Sequence, residues 1–266
     1  MRKWLAGLLL ICSVVLLSIS IYSLMGMFLE EKRDDTLQEQ LKEIYENMEQ
    51  DKAQDEPEGD VISDGEAASF VVDAGLLALH EENPDCIGWL TIPDTMIDYP
   101  VMYHPEEKNY YLKRDFNGEY NANGCLFLSE ICDPETSDNL IIYGHHMNSG
   151  KMFAALEGYK GQEFYQKHPL ITFNTLHGKE TYQVIAAFST PVYTGKDFPY
   201  YTFSKAENRE QYQSFVEAVK GRSFYETGYT AAYGDRLLTL STCEYSQKNG
   251  RMVVVAKKIG TDGRKE

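Results

Sequence analysis

Residues 4–29 form a run of 26 residues without a single charge. At a rise of about 1.5 Å per residue this run makes a helix about 39 Å long, enough to cross a hydrocarbon core of about 30 Å. Arg2 and Lys3 precede it, so the positive-inside rule keeps the N-terminus in the cytoplasm and places the remaining chain outside. A cleaved secretion signal would have a shorter apolar core ending in a small-residue cleavage site. This run instead closes Met25-Gly26-Met27-Phe28-Leu29 before Glu30, and reads as an uncleaved anchor. Residues 1–29 are therefore expected to be a cytoplasmic tip and single-pass transmembrane helix at the cell membrane.

Charge separates the next segment from the rest of the chain. Residues 30–60 hold 13 acidic and 4 basic side chains, a net of −9 out of −16 for the whole chain. Their few apolar residues, among them Leu37, Leu41, Ile44, Tyr45 and Met48, recur at spacings of three and four, as in a solvated helix or stalk. The run Asp55-Glu56-Pro57-Glu58-Gly59-Asp60 breaks that pattern and reads as linker. Residues 30–69 are expected to be an acidic stalk and linker, residues 70–260 one domain with an ample core, and residues 261–266 a tail. Nucleic acid is excluded as a partner, because it needs clustered Lys and Arg.

Short runs rich in apolar, β-branched and aromatic residues mark eight candidate strands: 89–92, 97–103, 124–128, 139–143, 170–174, 181–188, 237–242 and 252–258. The first two, divided by Pro93-Asp94, read as a strand pair. Leu76-Leu77-Ala78-Leu79 reads as a short helix stopped by Pro84. Helical spacing also marks Met152-Phe153 with Leu156 and Tyr159, and residues 206–219 with Tyr212, Phe215, Val216 and Val219. Many short strands with few helices predict a mainly β fold with flanking helices, a closed barrel or a sandwich.

Chemistry concentrates at three strand ends. The run Thr239-Leu240-Ser241-Thr242-Cys243 ends one apolar strand, and Arg251 opens the next, eight residues later. If the two strands pair antiparallel, the Cys243 and Arg251 ends meet across the turn. A third strand ends in Gly144-His145-His146. Thiol, imidazole and guanidinium are the parts of a cysteine acyl-transfer site: nucleophile, acid/base and oxyanion stabiliser. A cysteine reacts as its thiolate, which a neighbouring cation favours, and Arg251 is always charged. Spacing alone also allows Cys243 to be a buried strand cysteine and Arg251 a surface charge. Adjacent histidines on a strand point opposite ways and rarely share a metal. His80, His104, His168 and His177 read as ordinary surface or loop residues. No P-loop, dinucleotide fingerprint or His-Glu-x-x-His is present, so neither cofactor nor metal is expected. Cys86, Cys125 and Cys132 are scattered, a Cys125–Cys132 disulfide is disfavoured, and at least one thiol outside the membrane is expected to be free.

These runs resemble a class B sortase, a membrane-anchored cysteine transpeptidase of Gram-positive bacteria. The resemblance spans about residues 73–259. It rests on Thr239-Leu-Ser-Thr-Cys243-Glu, Arg251-Met-Val-Val-Val-Ala256, Tyr143-Gly-His145 and Met152-Phe153, together with Asn83-Pro-Asp-Cys-Ile-Gly88-Trp-Leu, Ile97-Asp-Tyr-Pro-Val101 and Tyr111-Leu112. The helical segment before the cysteine strand looks like the insertion of class B. The resemblance implies an eight-stranded β-barrel with flanking helices, with Cys243, His145 (in preference to His146) and Arg251 as catalytic residues. It further implies that Leu112, Tyr143, Ser241, Thr242 and Glu244 bind the sorting peptide. The implied reaction cleaves a C-terminal sorting motif of secreted proteins through a thioester and passes the acyl group to an amine. That amine is expected to belong to a cell-wall precursor or, in pilus-building relatives, to a pilin. A cysteine protease, an L,D-transpeptidase and a non-catalytic membrane-tethered receptor or scaffold remain as alternatives. Papain-like enzymes place Cys before His, and the Ser-x-Gly-Cys context of L,D-transpeptidases is not found here.

Overall fold

A computed structural model of the chain describes residues 2–54, 73–192, 195, 197–244 and 249–262. The chain divides into two compact units, Met1–Gln40 and Leu41–Glu266. The first consists of most of helix α1 (Arg2–Gln54), which is long and apolar enough over its early part to cross a membrane. The expected linker 55–60 lies outside the described residues.

The second unit is a closed barrel with strand order β1-β2-β3-β4-β7-β8-β6-β5. Its strands are β1 (Cys86–Thr91), β2 (Asp98–Met102), β3 (Leu126–Leu128), β4 (Asn139–Tyr143), β5 (Leu170–Thr175), β6 (Gly178–Pro191), β7 (Leu237–Glu244) and β8 (Gly250–Asp262). All eight fall on the strands expected from sequence, with β6 and β8 longer at both ends. β1 and β2 pair antiparallel, as anticipated. Two contacts are parallel, β2 with β3 and β4 with β7.

Helix α2 (Ala74–Glu82) starts where the Asp73 carboxylate accepts from Leu76 N at 2.9 Å, and ends before Pro84. The segment after the histidines forms a 3-10 helix, Phe153–Lys160, followed by α3 (Gln162–Lys167). Helix α4 (Arg209–Lys220) begins three residues later than its periodicity suggests, because Asn208 caps it by accepting from Gln211 N at 2.9 Å.

Two cores result. The barrel interior is filled by one row of apolar side chains from each strand, including Leu240, Val254 and Ile142, with Phe153 and Tyr159 closing it. A second core covers the outer face of β6, β7 and β8. There Val253, Val255 and Phe188 meet Tyr212, Phe215 and Val216 of α4, and Tyr200 and Phe203 from the connection before it.

Part of the acidic segment also packs on the barrel. Tyr45 stacks on Trp89 with ring centroids 4.3 Å apart and planes 5° from parallel, and its hydroxyl accepts from Asn174 Nδ2 at 2.7 Å. Lys42 pairs with Asp98, which also accepts from Trp89 Nε1 at 2.7 Å and Thr91 Oγ1 at 2.9 Å. Burial pushes the Asp98 carboxyl up, but the hydrogen bonds from Lys42, Trp89 and Thr91 and the Lys42 charge outweigh it and hold the carboxyl below its ordinary value. The sequence reads as solvated over this stretch because charge dominates it. Leu41, Lys42 and Tyr45 lie on one helical stripe, and the barrel engages that stripe.

Candidate active site

The β7–β8 register sets Cys243 directly opposite Arg251. In an antiparallel pair, opposed residues present their side chains on the same face. Alternation assigns that face. Ser241 and Val253, two steps before Cys243 and two after Arg251, belong to the outer, second-core side, whereas Leu240 and Val254 point into the barrel. The thiol and the guanidinium therefore stand on the outer face, at the end of β7 and the start of β8. Cys243 is half-buried and not disulfide-bonded.

Histidine reaches the same place through β4. Tyr143 pairs in parallel with Ser241, and Gly144 N donates to Ser241 O at 3.2 Å. His145, two residues beyond Tyr143, is thus level with Cys243, two beyond Ser241. Gly144 permits this course: a Cβ there would lie 2.4 Å from Leu126 Cδ2 and 2.8 Å from Phe153 Cδ2. The two adjacent histidines take different main-chain partners. His145 Nε2 bonds to Leu112 O at 2.8 Å, whereas His146 Nδ1 bonds to Cys243 O at 3.2 Å and lies 3.9 Å from Glu157.

Arg251 gives one Nη1–H to Gly250 O at 2.9 Å. Its other donors have no partner among the described residues. Ser241 is 1 % exposed, with its hydroxyl 2.6 Å from the Tyr200 hydroxyl. Thr242 faces the barrel, and its buried Oγ1 has no hydrogen-bond partner among the described residues. Tyr143 is half-buried with its ring 5.6 Å from Phe127. Leu112, also half-buried, meets the site through its carbonyl. Glu244 continues β7 opposite Gly250, but its side chain and residues 245–248 lie outside the described residues.

Sequence reasoning missed Tyr200, whose contact with Ser241 spans 41 residues of chain and has no local signal. It also missed Asp85, which accepts at 2.9 Å from the hydroxyl of Tyr111, the residue before Leu112. The only hint lay in the Asn83-Pro84-Asp85 turn.

A thiol, an imidazole and a guanidinium at adjacent strand ends are the groups that acyl transfer through a covalent thioester uses. Comparison with known proteins agrees. Residues 90–259 match the family model described as a Sortase domain. Sortase B of Staphylococcus aureus is 37% identical over 185 residues, 68% of this chain and 73% of the relative. Sortase B of Listeria monocytogenes is 32% identical over 255 residues, 93% of this chain and 95% of the relative. A solved Staphylococcus aureus sortase B–substrate complex superimposes with a TM-score of 0.72 at 31% identity, covering 87% of this chain and 98% of that one.

Proposed function

This chain belongs to the sortase family, in its class B, and is a cysteine transpeptidase; on that footing we propose that Cys243, His145 and Arg251 carry its reaction. The observation that carries the proposal is the strand register, with Cys243 opposite Arg251 and His145 level with both.

The Cys243 thiolate attacks a backbone carbonyl of the sorting motif. The carbonyl oxygen takes on negative charge and receives hydrogen bonds from the free donors of Arg251. Collapse of the tetrahedral intermediate breaks the C–N bond, and the His145 imidazolium gives its proton to the departing amine. A thioester joins the N-terminal part of the substrate to Cys243. An amine then attacks the thioester, His145 takes its proton, and the thiolate leaves. The substrate is a secreted protein with a C-terminal sorting motif, and the amine belongs to a cell-wall precursor. Helix α1 crosses the membrane once with its N-terminus inside, so the catalytic unit lies on the side where both reactants are found. Leu112, Tyr143, Ser241, Thr242 and Glu244 flank the path of the sorting peptide. Buried Ser241 and Thr242 act by shaping the strand beneath it.

Intact-protein mass spectrometry of the full-length chain after mixing with a sorting peptide tests this. A thioester adduct should form on wild type, map to Cys243, and vanish in Cys243→Ala. An adduct on another residue, or turnover by Cys243→Ala, would reject the assignment.

A further inference from the structure

The Leu112 carbonyl makes a statement about the His145 proton. A carbonyl oxygen carries lone pairs and no hydrogen, so it only accepts. The 2.8 Å contact from His145 Nε2 to Leu112 O is therefore an Nε2–H···O bond. In a neutral imidazole the two nitrogens share one proton, and the hydrogen bond made by one fixes the state of the other. Nδ1 is then the bare nitrogen, and it has no hydrogen-bond partner among the described residues.

We infer that the Leu112 carbonyl locks His145 as its Nε2–H tautomer, so that Nδ1 is the atom that passes the reaction proton, and that Gly124 and the Asp85–Tyr111 pair are positioning residues that hold this carbonyl in place. This inference rests on the reading of His145 as the acid/base. In acylation the proton on Nδ1 moves to the departing amine as the C–N bond breaks. In the second half, the attacking amine returns a proton to Nδ1 as the thioester C–S bond breaks. Nε2–H keeps its proton throughout.

Leu112 lies in a 3-10 helix, Tyr110–Lys113, too short to be rigid by itself. Its neighbour Tyr111 is 2 % exposed and fastened at both ends. The Tyr111 hydroxyl donates to Asp85 Oδ2 at 2.9 Å and accepts from Asn83 Nδ2 at 3.2 Å. Its main-chain oxygen accepts from Cys125 N at 3.0 Å. Asp85 is held in turn by His104 Nδ1 at 2.9 Å. Against this helix packs Gly124, with φ +59°. A Cβ there would stand 2.5 Å from the Leu112 oxygen and 2.6 Å from the Tyr111 oxygen. The atom that a side chain at 124 would displace is thus the one that holds His145.

Long-range ¹H–¹⁵N spectra of the histidine-labelled full-length protein read the tautomer directly, at a pH where the ring is neutral, with His145→Gln identifying the signals. Wild type should show a protonated Nε2 and a bare Nδ1. Gly124→Ala should give a mixture of tautomers and a kcat at least tenfold lower, within the ~10²–10⁴ range of acid/base help. Its rate of Cys243 alkylation should stay within about twofold of wild type. Tyr111→Phe should move both kcat and the tautomer ratio the same way, by less. If Gly124→Ala does not fold, the wild-type spectrum and Tyr111→Phe decide. A wild-type spectrum with the proton on Nδ1, or a Tyr111→Phe with unchanged spectrum and kcat, overturns the inference. Its failure is distinct from failure of the acid/base assignment, which would show as full turnover by His145→Ala.

Discussion

Replacing Arg251 by lysine separates two ways in which a cation can assist a thiol. The residue stands directly across the ladder from Cys243, where opposed Cβ atoms are about 4.5–5.5 Å apart. A guanidinium has five N–H donors in a planar fork, of which Arg251 uses one on Gly250 O at 2.9 Å. Lysine keeps the unit charge. That preserves its attraction for a thiolate. The fork is lost, and with it the aimed donors. Loss of one donor to a developing oxyanion costs about 10²–10³ in kcat, or about 2.7–4 kcal/mol. Directed bonding therefore predicts a kcat for Arg251→Lys that is about 10²–10³ lower, whereas a purely electrostatic role predicts near-normal turnover. The assay is steady-state cleavage of a quenched fluorogenic sorting peptide, run beside the pH dependence of Cys243 alkylation in both proteins. Alkylation reports the thiolate and should match wild type within about twofold while turnover collapses. Turnover within about threefold of wild type would refute the directed-bond role.

The same geometry carries other expectations. His145→Ala should lose about 10²–10⁴ in turnover, whereas His146→Ala gives up its hydrogen bond to the Cys243 carbonyl, worth about 1 kcal/mol, together with its contact to Glu157, and should lose far less; peptide cleavage by both variants ranks them, and the reverse order would transfer the acid/base role to His146. Iodoacetamide at neutral pH, followed by peptide mapping, should label Cys243 and spare Cys86, Cys125 and Cys132, since all three are buried and burial pushes the Cys86 and Cys132 thiols up to about 12; early labelling of any of the three would contradict that packing. Asp98 is held below its ordinary value, so its contribution to stability is full above the unfolded value of about 3.9 and is lost as pH falls through the folded value. Lys42 is raised, first by its hydrogen bond to Asp98, so its part is present below about 10.4 and fades as pH rises through the folded value. Denaturant melts of Asp98→Asn should show a flatter acid limb, and an unchanged limb would dismiss the pair as a source of acid sensitivity.

What could be read from sequence, and what could not, divides along a physical line. β7 and β8 were legible because each is a continuous apolar run, and their ends carried residues whose chemistry depends on meeting. Their antiparallel pairing, and the meeting of Cys243 with Arg251, followed from the short connection. Barrel closure was not legible, because β1 pairs with β5 across more than 80 residues and the parallel β2–β3 and β4–β7 contacts need crossovers with no local mark. The engagement of Tyr45 with Trp89 was hidden by the charges around it. The residues alone did not separate the two histidines, since both sit past the end of β4; the structure distinguishes them by the carbonyls that each one meets.

The placing of the site depends on how β7 keeps its register. Both of its faces are buried, with Leu238 and Leu240 inward and Leu237, Thr239 and Ser241 outward, so burial alone does not decide which face carries the thiol. A slip of one residue would turn Cys243 into the barrel and bring Thr242 out, because side chains alternate with a period of two. Two buried hydroxyls on the outer face oppose that slip. Thr239 Oγ1 donates to Asn139 Oδ1 at 2.8 Å, and the Asn139 amide donates to Phe203 O at 2.8 Å. Ser241 Oγ meets Tyr200 at 2.6 Å. Turned inward against Val254 and Ile142, these hydroxyls would lose their partners at about 1–3 kcal/mol each. The connection that supplies Phe203 and Tyr200 leads into α4, so the helical insertion covering the outer face also fixes which residue of β7 stands opposite Arg251.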